Sequence, residues 1–234
     1  MAIHEFPELL SDDIIARAKK LNPALLADGM KGMGILHDGV MEASIMPVNP
    51  DLNLTMVGTA MTVETSNGDN FPIHVASYSA PCDGYVMVID GKAYPDKAYF
   101  GDLIMGSCKA IGYVGMVIDG YTRDRKGCIE MNYPVFSKGQ MQAGPIKKNE
   151  GEINGTIHCG GVEVNPGDLV VGGPDGVTVV PRDKIEEVLK KAEEKAAYED
   201  KRDITIAAYE KAKAAGEPLP QLAPQWVLDL LANK

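Results

Sequence analysis

The chain has 234 residues, 45% of them hydrophobic, enough to bury a substantial core, and nothing in it asks for more than one domain. Its 23 Lys and Arg stand against 33 Asp and Glu, a formal net charge of −10, which disfavours direct nucleic-acid binding, a mode that asks for a basic face. Cys82, Cys108, Cys128 and Cys159 are far apart, with no C-x-x-C pair and no His at zinc-ligand spacing, so they read as reduced structural residues rather than metal ligands or disulfide partners.

The N-terminal MAIHEFPELLSDD lacks the basic start and apolar run of an export signal. No uninterrupted apolar stretch is long enough to span a bilayer, so a cytoplasmic protein with no membrane partner is expected. Ser11-Asp12-Asp13 is a helix-start signature, continued by Ile14, Ile15, Ala18 and Leu21 and stopped near Asn22-Pro23. A second helix is expected from Pro23 to about Lys31, with Asp28 as a solvated carboxylate on its face. The stretch GTAMTV within 56–63 alternates like a strand, and the loop 66–70 breaks it. Residues 70–80 resume as a helix on which Asn70 and His74, four apart, share a face.

Segments 84–91 and 112–120 echo each other. Each is an apolar run rich in β-branched residues that ends in Asp-Gly, with a helix between them, the pattern of two neighbouring parallel strands in a βαβ unit. Residues 92–100 read as a loop delivering the chain to Gly101. Leu103, Ile104, Ser107, Cys108 and Ile111 then recur at helical spacing, between an N-cap at Gly101-Asp102 and a stop at Gly112. Val114, Met116, Val117 and Ile118 form a buried strand expected to end at a turn, Asp119-Gly120, with Thr122-Arg123-Asp124 just beyond.

A short helix over 125–131 and a strand over 133–137 follow. Residues 139–165 read as strands and turns marked by Asn154-Gly155 and Gly160-Gly161. LVVGG and VTVVP, joined at Pro174-Asp175-Gly176, form a hairpin, so parallel and antiparallel strands are mixed. From Asp183 a long helix carries Ile185, Val188, Leu189, Ala192 and Ala196 on one stripe. Glu199 projects along the same stripe, where a carboxylate needs a partner; Arg202 at i+3 is the local alternative. A linker at 216–220 leads to a short apolar helix at 226–231, suited to packing on a partner subunit. One α/β domain over 1–205 and a C-terminal extension over 206–234 are expected.

The chemistry concentrates at 101–124. The first-turn amides of Leu103 and Ile104 have no partner inside their helix and can hold an anionic oxygen, helped by the helix dipole. Gly101 permits close approach of a ligand to the backbone. Arg123 adds a planar fork suited to a carboxylate. Asp124 is a hard oxygen ligand of the kind Mg²⁺ or Mn²⁺ accepts, and Asp102 could hold a metal-bound water. Lys109, in the same helix, is the candidate for a lysine Schiff base, although a surface lysine is the default.

An Asp followed twenty residues later by Arg-Asp, in the frame G-D-L…G…G…V-I-D-G…R-D, resembles the class II pyruvate aldolases that cleave 4-hydroxy-4-methyl-2-oxoglutarate and 4-carboxy-4-hydroxy-2-oxoadipate. That superfamily also includes the regulator of ribonuclease activity A. Further matches in order are Ala60-Met61-Thr62-Val63, Gly68-Asp69-Asn70 with His74, Tyr133-Pro134-Val135-Phe136, and Pro166-Gly167-Asp168 leading to Asp175-Gly176-Val177. The resemblance covers roughly residues 20–205. It implies a three-layer swivelling-type β/β/α domain with mixed sheets and a C-terminal helical extension. It also implies a small 2-oxo acid substrate, a Mg²⁺ or Mn²⁺ cofactor held by Asp124, and oxaloacetate decarboxylation as a side activity.

By the same resemblance Arg123, Asp102 and Glu199 are catalytic, while Gly101, Leu103, Ile104, Arg123, Asn70 and His74 meet the substrate. Glu199 would reach the metal waters of a neighbouring subunit, in a homotrimer or dimer of trimers with the site at the subunit interface. The alternative is a non-catalytic protein-binding regulator, which would need neither the Arg123-Asp124 pair nor Glu199.

Overall fold

The computed structural model describes residues 1–51, 54–79 and 82–232. The chain divides into two compact units, Met1–Ala192 and Glu193–Lys234. In the first, the strands are β1 (Ala2–Ile3), β2 (Met46–Pro47), β3 (Met56–Glu64), β4 (Tyr85–Asp90), β5 (Ala98–Phe100), β6 (Gly115–Thr122), β7 (Val135–Gln140), β8 (Glu152–Ile153), β9 (Ile157–Cys159), β10 (Val162–Val164), β11 (Leu169–Gly173) and β12 (Gly176–Val180). Its helices are α1 (Asp12–Ala18), α2 (Pro23–Met30), α3 (Phe71–Ser77), α4 (Asp102–Ala110) and α5 (Arg125–Glu130). Asn22 caps α2 by accepting the Leu25 N–H at 2.8 Å, and Pro23 fits its first turn, where no N–H is needed. The helix expected over 70–80 spans Phe71–Ser77; residue 80 lies outside the described residues.

The parallel strands β3, β4, β6 and β7 form the centre of the sheet. Every residue of β4 is buried, as the near-continuous apolar run of a strand covered on both faces requires. The echoing segments pair in register, Ile89 with Ile118 and Asp90 with Asp119. The first half of β3 pairs antiparallel with β11 and its end with β8, while β11 and β12 close the expected hairpin, so the sheet is mixed. One face carries α3, α4 and α5, whose Ile73, Met105 and Cys128 pack against Met61, Met87 and Met116. The other face receives the β9–β10 hairpin and the inner side chains of β11 and β12, where Cys159, Val164, Val170 and Val179 meet Ala60, Val88 and Phe136. Each fully buried aliphatic or aromatic side chain in these two layers contributes roughly 1.5–3 kcal/mol. All four cysteines are buried and free of disulfides.

Two local expectations give way to pairing. The strand expected to turn at Asp119-Gly120 runs on to Thr122, because β5, inside the stretch expected to be a loop, supplies a partner for its end. Within the strand the Asp119 carboxylate accepts the Gly160 N–H at Oδ2 (3.0 Å), and its Oδ1, which has no hydrogen-bond partner, stands 3.2 Å from Lys138 Nζ as an ion pair. Gly120 is needed there because a Cβ would lie 3.0 Å from the Tyr99 ring. The tertiary contacts thus override a local turn signal.

The long helix α6 (Ile185–Ala215) continues unbroken through 205, so the boundary expected there falls inside a helix and the division lies at Ala192/Glu193 instead. Ala192 is the last fully buried member of the apolar stripe, and beyond it the helix is mostly exposed. In the second unit α7 (Gln225–Ala232) leaves Trp226, Leu230 and Leu231 exposed. Among the described residues no helix is long and apolar enough to cross a membrane.

Asp168, buried in the turn before β11, accepts the N–H groups of Asn165 (2.8 Å) and Arg182 (2.9 Å). Burial pushes its carboxyl up to about 6, partly offset by those two donors. Because the folded value lies above the unfolded one of about 3.9, the stability tied to this group is complete at low pH and is lost as pH rises through 6. Compared with Asp168→Asn, which does not titrate, the wild type should lose about 1 kcal/mol of unfolding free energy between about pH 5 and about pH 7.5, as read from urea unfolding.

Candidate active site

The end of β6, the start of α4, the start of α3 and a strap over 141–150 converge on a cavity of about 270 Å³. Gly101, at the N-cap of α4, is extended (φ −139°, ψ −159°) and offers no side chain, so the first-turn amides of Leu103 and Ile104 are left uncapped beside the cavity. The absence of a side chain at Gly101 leaves Asp124 its place, since a Cβ there would land on Asp124 Oδ2 and lie 3.0 Å from Arg123 Cγ. Leu103 stands at the rim, 83% exposed.

Arg123 and Asp124 follow β6 directly, and the Arg123 N–H donates to Phe100 O at 3.0 Å, tying the pair to β5. Asp124 adopts the left-handed conformation (φ 57°, ψ 39°) that turns the chain into α5. Its Oδ2 lies 3.3 Å from Arg123 Nε, yet that buried nitrogen has no hydrogen-bond partner. The distance satisfies an ion pair and the angle does not satisfy a hydrogen bond, so one donor of the fork is left for another acceptor. Gly144 of the strap admits the guanidinium, as a Cβ there would lie 2.9 Å from Nη1.

Asn70 is 3% exposed, lines the cavity, and has a buried Oδ1 without a hydrogen-bond partner. His74 lines it one turn on, and burial, then the nearby Lys147 charge, hold its imidazole below the ordinary value. Of the residues expected to form the site, Asn70, His74, Gly101, Leu103, Ile104, Arg123 and Asp124 therefore share one cavity.

Asp102 is not among the lining residues. Its carboxylate packs beside Gly127 of α5, where a Cβ would lie 2.6 Å from Oδ2. Burial first, then the charges of Asp102 and Asp124, push the Cys128 thiol up to about 11. Both carboxylates therefore lie near that sulfur. Glu199 belongs to the second unit, where it is exposed and 3.9 Å from Lys195 Nζ, and Arg202 donates to Leu222 O rather than to it. Lys109 is exposed and donates to Met131 O at 2.7 Å, without the apolar enclosure a Schiff-base lysine needs.

Pro145 and Lys147 line the cavity without having stood out in the sequence. The only hint was their place in a Pro- and Gly-containing stretch with no periodicity. A neighbouring hollow of about 270 Å³ shares Arg123 and Asp124 and adds Arg125, Gln140 and Gln142.

A mixed sheet that sets an uncapped helix start against an Arg-Asp pair defines an α/β domain with a small cavity at the end of its parallel strands. The chain belongs to the RraA-like family, whose model, described as Aldolase/RraA, matches residues 23–179. It is 37% identical over 195 residues, 83% of this chain and 89% of the relative, to a Halalkalibacterium halodurans protein provisionally named 4-hydroxy-4-methyl-2-oxoglutarate aldolase. Among solved structures it is similar to an uncharacterized protein from Pseudomonas syringae pv. tomato (TM-score 0.69, 26% identity, 91% of this chain and 97% of that one). It also shares its fold with Streptomyces coelicolor RraAS2, described as an unusual member of the RNase ES inhibitor RraA family (TM-score 0.71, 22% identity, 83% and 98% covered).

Proposed function

We propose that this protein is a divalent-metal-dependent lyase that releases pyruvate from a 4-hydroxy-2-oxo acid by retro-aldol cleavage, with oxaloacetate decarboxylation as a side activity. The observation that carries this reading is the meeting, in one cavity, of the uncapped start of α4, a guanidinium with an unused buried Nε, and the Asp124 carboxylate. The aldolase designation of the 37% identical relative supports it.

The residues present fit a hard cation of the Mg²⁺ or Mn²⁺ type. Among the described residues no three or more His, Cys, Asp or Glu side chains cluster to hold a metal by themselves. Mg²⁺ is commonly bound through one or two carboxylates, with water and ligand oxygens completing its shell, so Asp124 is sufficient as the protein's anchor. When bound, such an ion supplies Lewis-acid stabilisation of the charge that develops on the keto acid.

Arg123 pairs with the substrate carboxylate, and the Leu103 and Ile104 amides hold its anionic oxygen at the positive end of α4. Asn70 meets a donor on the substrate, and His74, neutral at pH 7, is able to take up a proton at the cavity wall. Asp102 keeps its assignment to the ordering of water, and Glu199 acts from a neighbouring copy in a trimer or dimer of trimers.

Purified protein with added Mg²⁺ or Mn²⁺ should release pyruvate from 4-hydroxy-2-oxo acids and from oxaloacetate in a coupled assay. EDTA should abolish the activity, and borohydride with substrate should trap no adduct. The absence of pyruvate from the whole panel, or EDTA-resistant activity with a borohydride adduct, would sink the reading. Co-purification with a ribonuclease in place of pyruvate release would favour the regulator.

A further inference from the structure

The cavity wall opposite α4 is made by two loops that meet far from each other in sequence. One runs from the end of β3 into α3 and carries Asn70 and His74; the other is the strap, which carries Pro145 and Lys147. Their backbones are joined by two hydrogen bonds, Asn70 N–H to Ile146 O (3.0 Å) and Ile146 N–H to Gly68 O (2.8 Å). A third link comes from a side chain. Asp69 is 1% exposed, and its two carboxylate oxygens accept from both sides of the seam: Oδ1 from the Phe71 N–H of α3 (2.9 Å) and Oδ2 from the Glu150 N–H of the strap (3.1 Å). Thr65 holds the same residue from below by donating its hydroxyl to Asp69 O at 2.6 Å.

A carboxylate is the side chain that can do this at once in both directions. An amide of the same shape offers one acceptor, and its NH₂ would face the other N–H donor. An apolar residue would leave both donors unmet in a buried place.

We propose that Asp69 is a positioning residue of the candidate active site, its carboxylate pinning the strap to the start of α3 and so fixing the wall where Asn70, His74 and Lys147 meet. The proposal rests on the reading of this cavity as a substrate site. Asp69 touches neither the reacting atoms nor a metal ligand; it acts through the backbone of its two neighbours.

Asp69→Asn keeps the shape and removes one acceptor, and the longer bond, to the strap, is the one expected to be lost. Hydrogen exchange of a peptide spanning 144–151 should then quicken by about tenfold, with peptides from α4 and β6 unchanged, the loss of one buried hydrogen bond being worth about that factor. In proton NMR the His74 ring should titrate at higher pH than in the wild type, since the strap takes Lys147 with it. With oxaloacetate and Mg²⁺, KM should rise about tenfold while kcat stays within about twofold, the signature of lost substrate positioning rather than lost chemistry.

An unchanged strap and an unchanged His74 titration would overturn the clamp. A released strap with KM intact would overturn its role at the site. If the wild type itself releases no pyruvate, the lyase reading has failed, and the clamp is judged on exchange and His74 titration alone. Should Asp69→Asn not fold, Glu150→Pro deletes the same bond from the strap's side and is held to the same outcomes.

Discussion

Arg123→Lys is expected to lower kcat/KM for pyruvate release by about 10²–10³-fold, with unfolding unchanged by circular dichroism. The guanidinium sits where a Cβ on Gly144 would lie 2.9 Å from Nη1, and its buried Nε has no hydrogen-bond partner; a lysine reaching the same place would bring one compact charge without the paired donors a carboxylate accepts. The charge is conserved, so a loss of this size isolates geometry from electrostatics. A residual activity within about threefold of wild type would mean that Arg123 contributes charge only.

The second large effect is expected from one methyl group. Gly101 is in an extended conformation that any residue adopts, so Gly101→Ala imposes no backbone strain. Its Cβ would land on Asp124 Oδ2 and press on Arg123 Cγ, so both side chains must move. Catalysis should fall about 10²-fold, as for a displacement on the order of 1 Å. Because the displaced Asp124 carboxylate is 44% exposed and free to swing, the cost in stability should be within about 1 kcal/mol. The affinity for Mg²⁺ should weaken in parallel, measured by titration calorimetry. Unchanged metal affinity would separate Asp124 from the role assigned to it.

Much of the architecture was legible because its signals were local. The Asp-Gly endings of the two echoing strands mark residues that pair in register, and the hairpin turn at Pro174-Asp175-Gly176 was visible from turn chemistry. The site was legible where one short stretch carries it: Gly101, Leu103, Ile104, Arg123 and Asp124 lie at adjacent ends of a helix and a strand. What escaped was non-local. The continuation of β6 past Gly120 depends on β5, and the position of Lys147 depends on the seam between Gly68–Asn70 and Ile146. Asp102 begins α4 as expected, but its carboxylate packs beside Gly127 of α5, a contact between helices that no spacing rule conveys. Glu199 shows the limit of a helical wheel: it continues a stripe whose burial has already ended at Ala192.

The left-handed backbone of Asp124 bears on whether this chain is a lyase or a regulator. A residue with a Cβ held there costs on the order of 1 kcal/mol, which glycine would relieve. Aspartate is one of the few residues with a Cβ that tolerates this region, and glycine is the replacement that removes the remaining cost. Asp124→Gly should therefore separate the two readings: under the proposed chemistry it gains stability while losing activity, whereas in a chain that only binds a partner it gains stability at no functional cost.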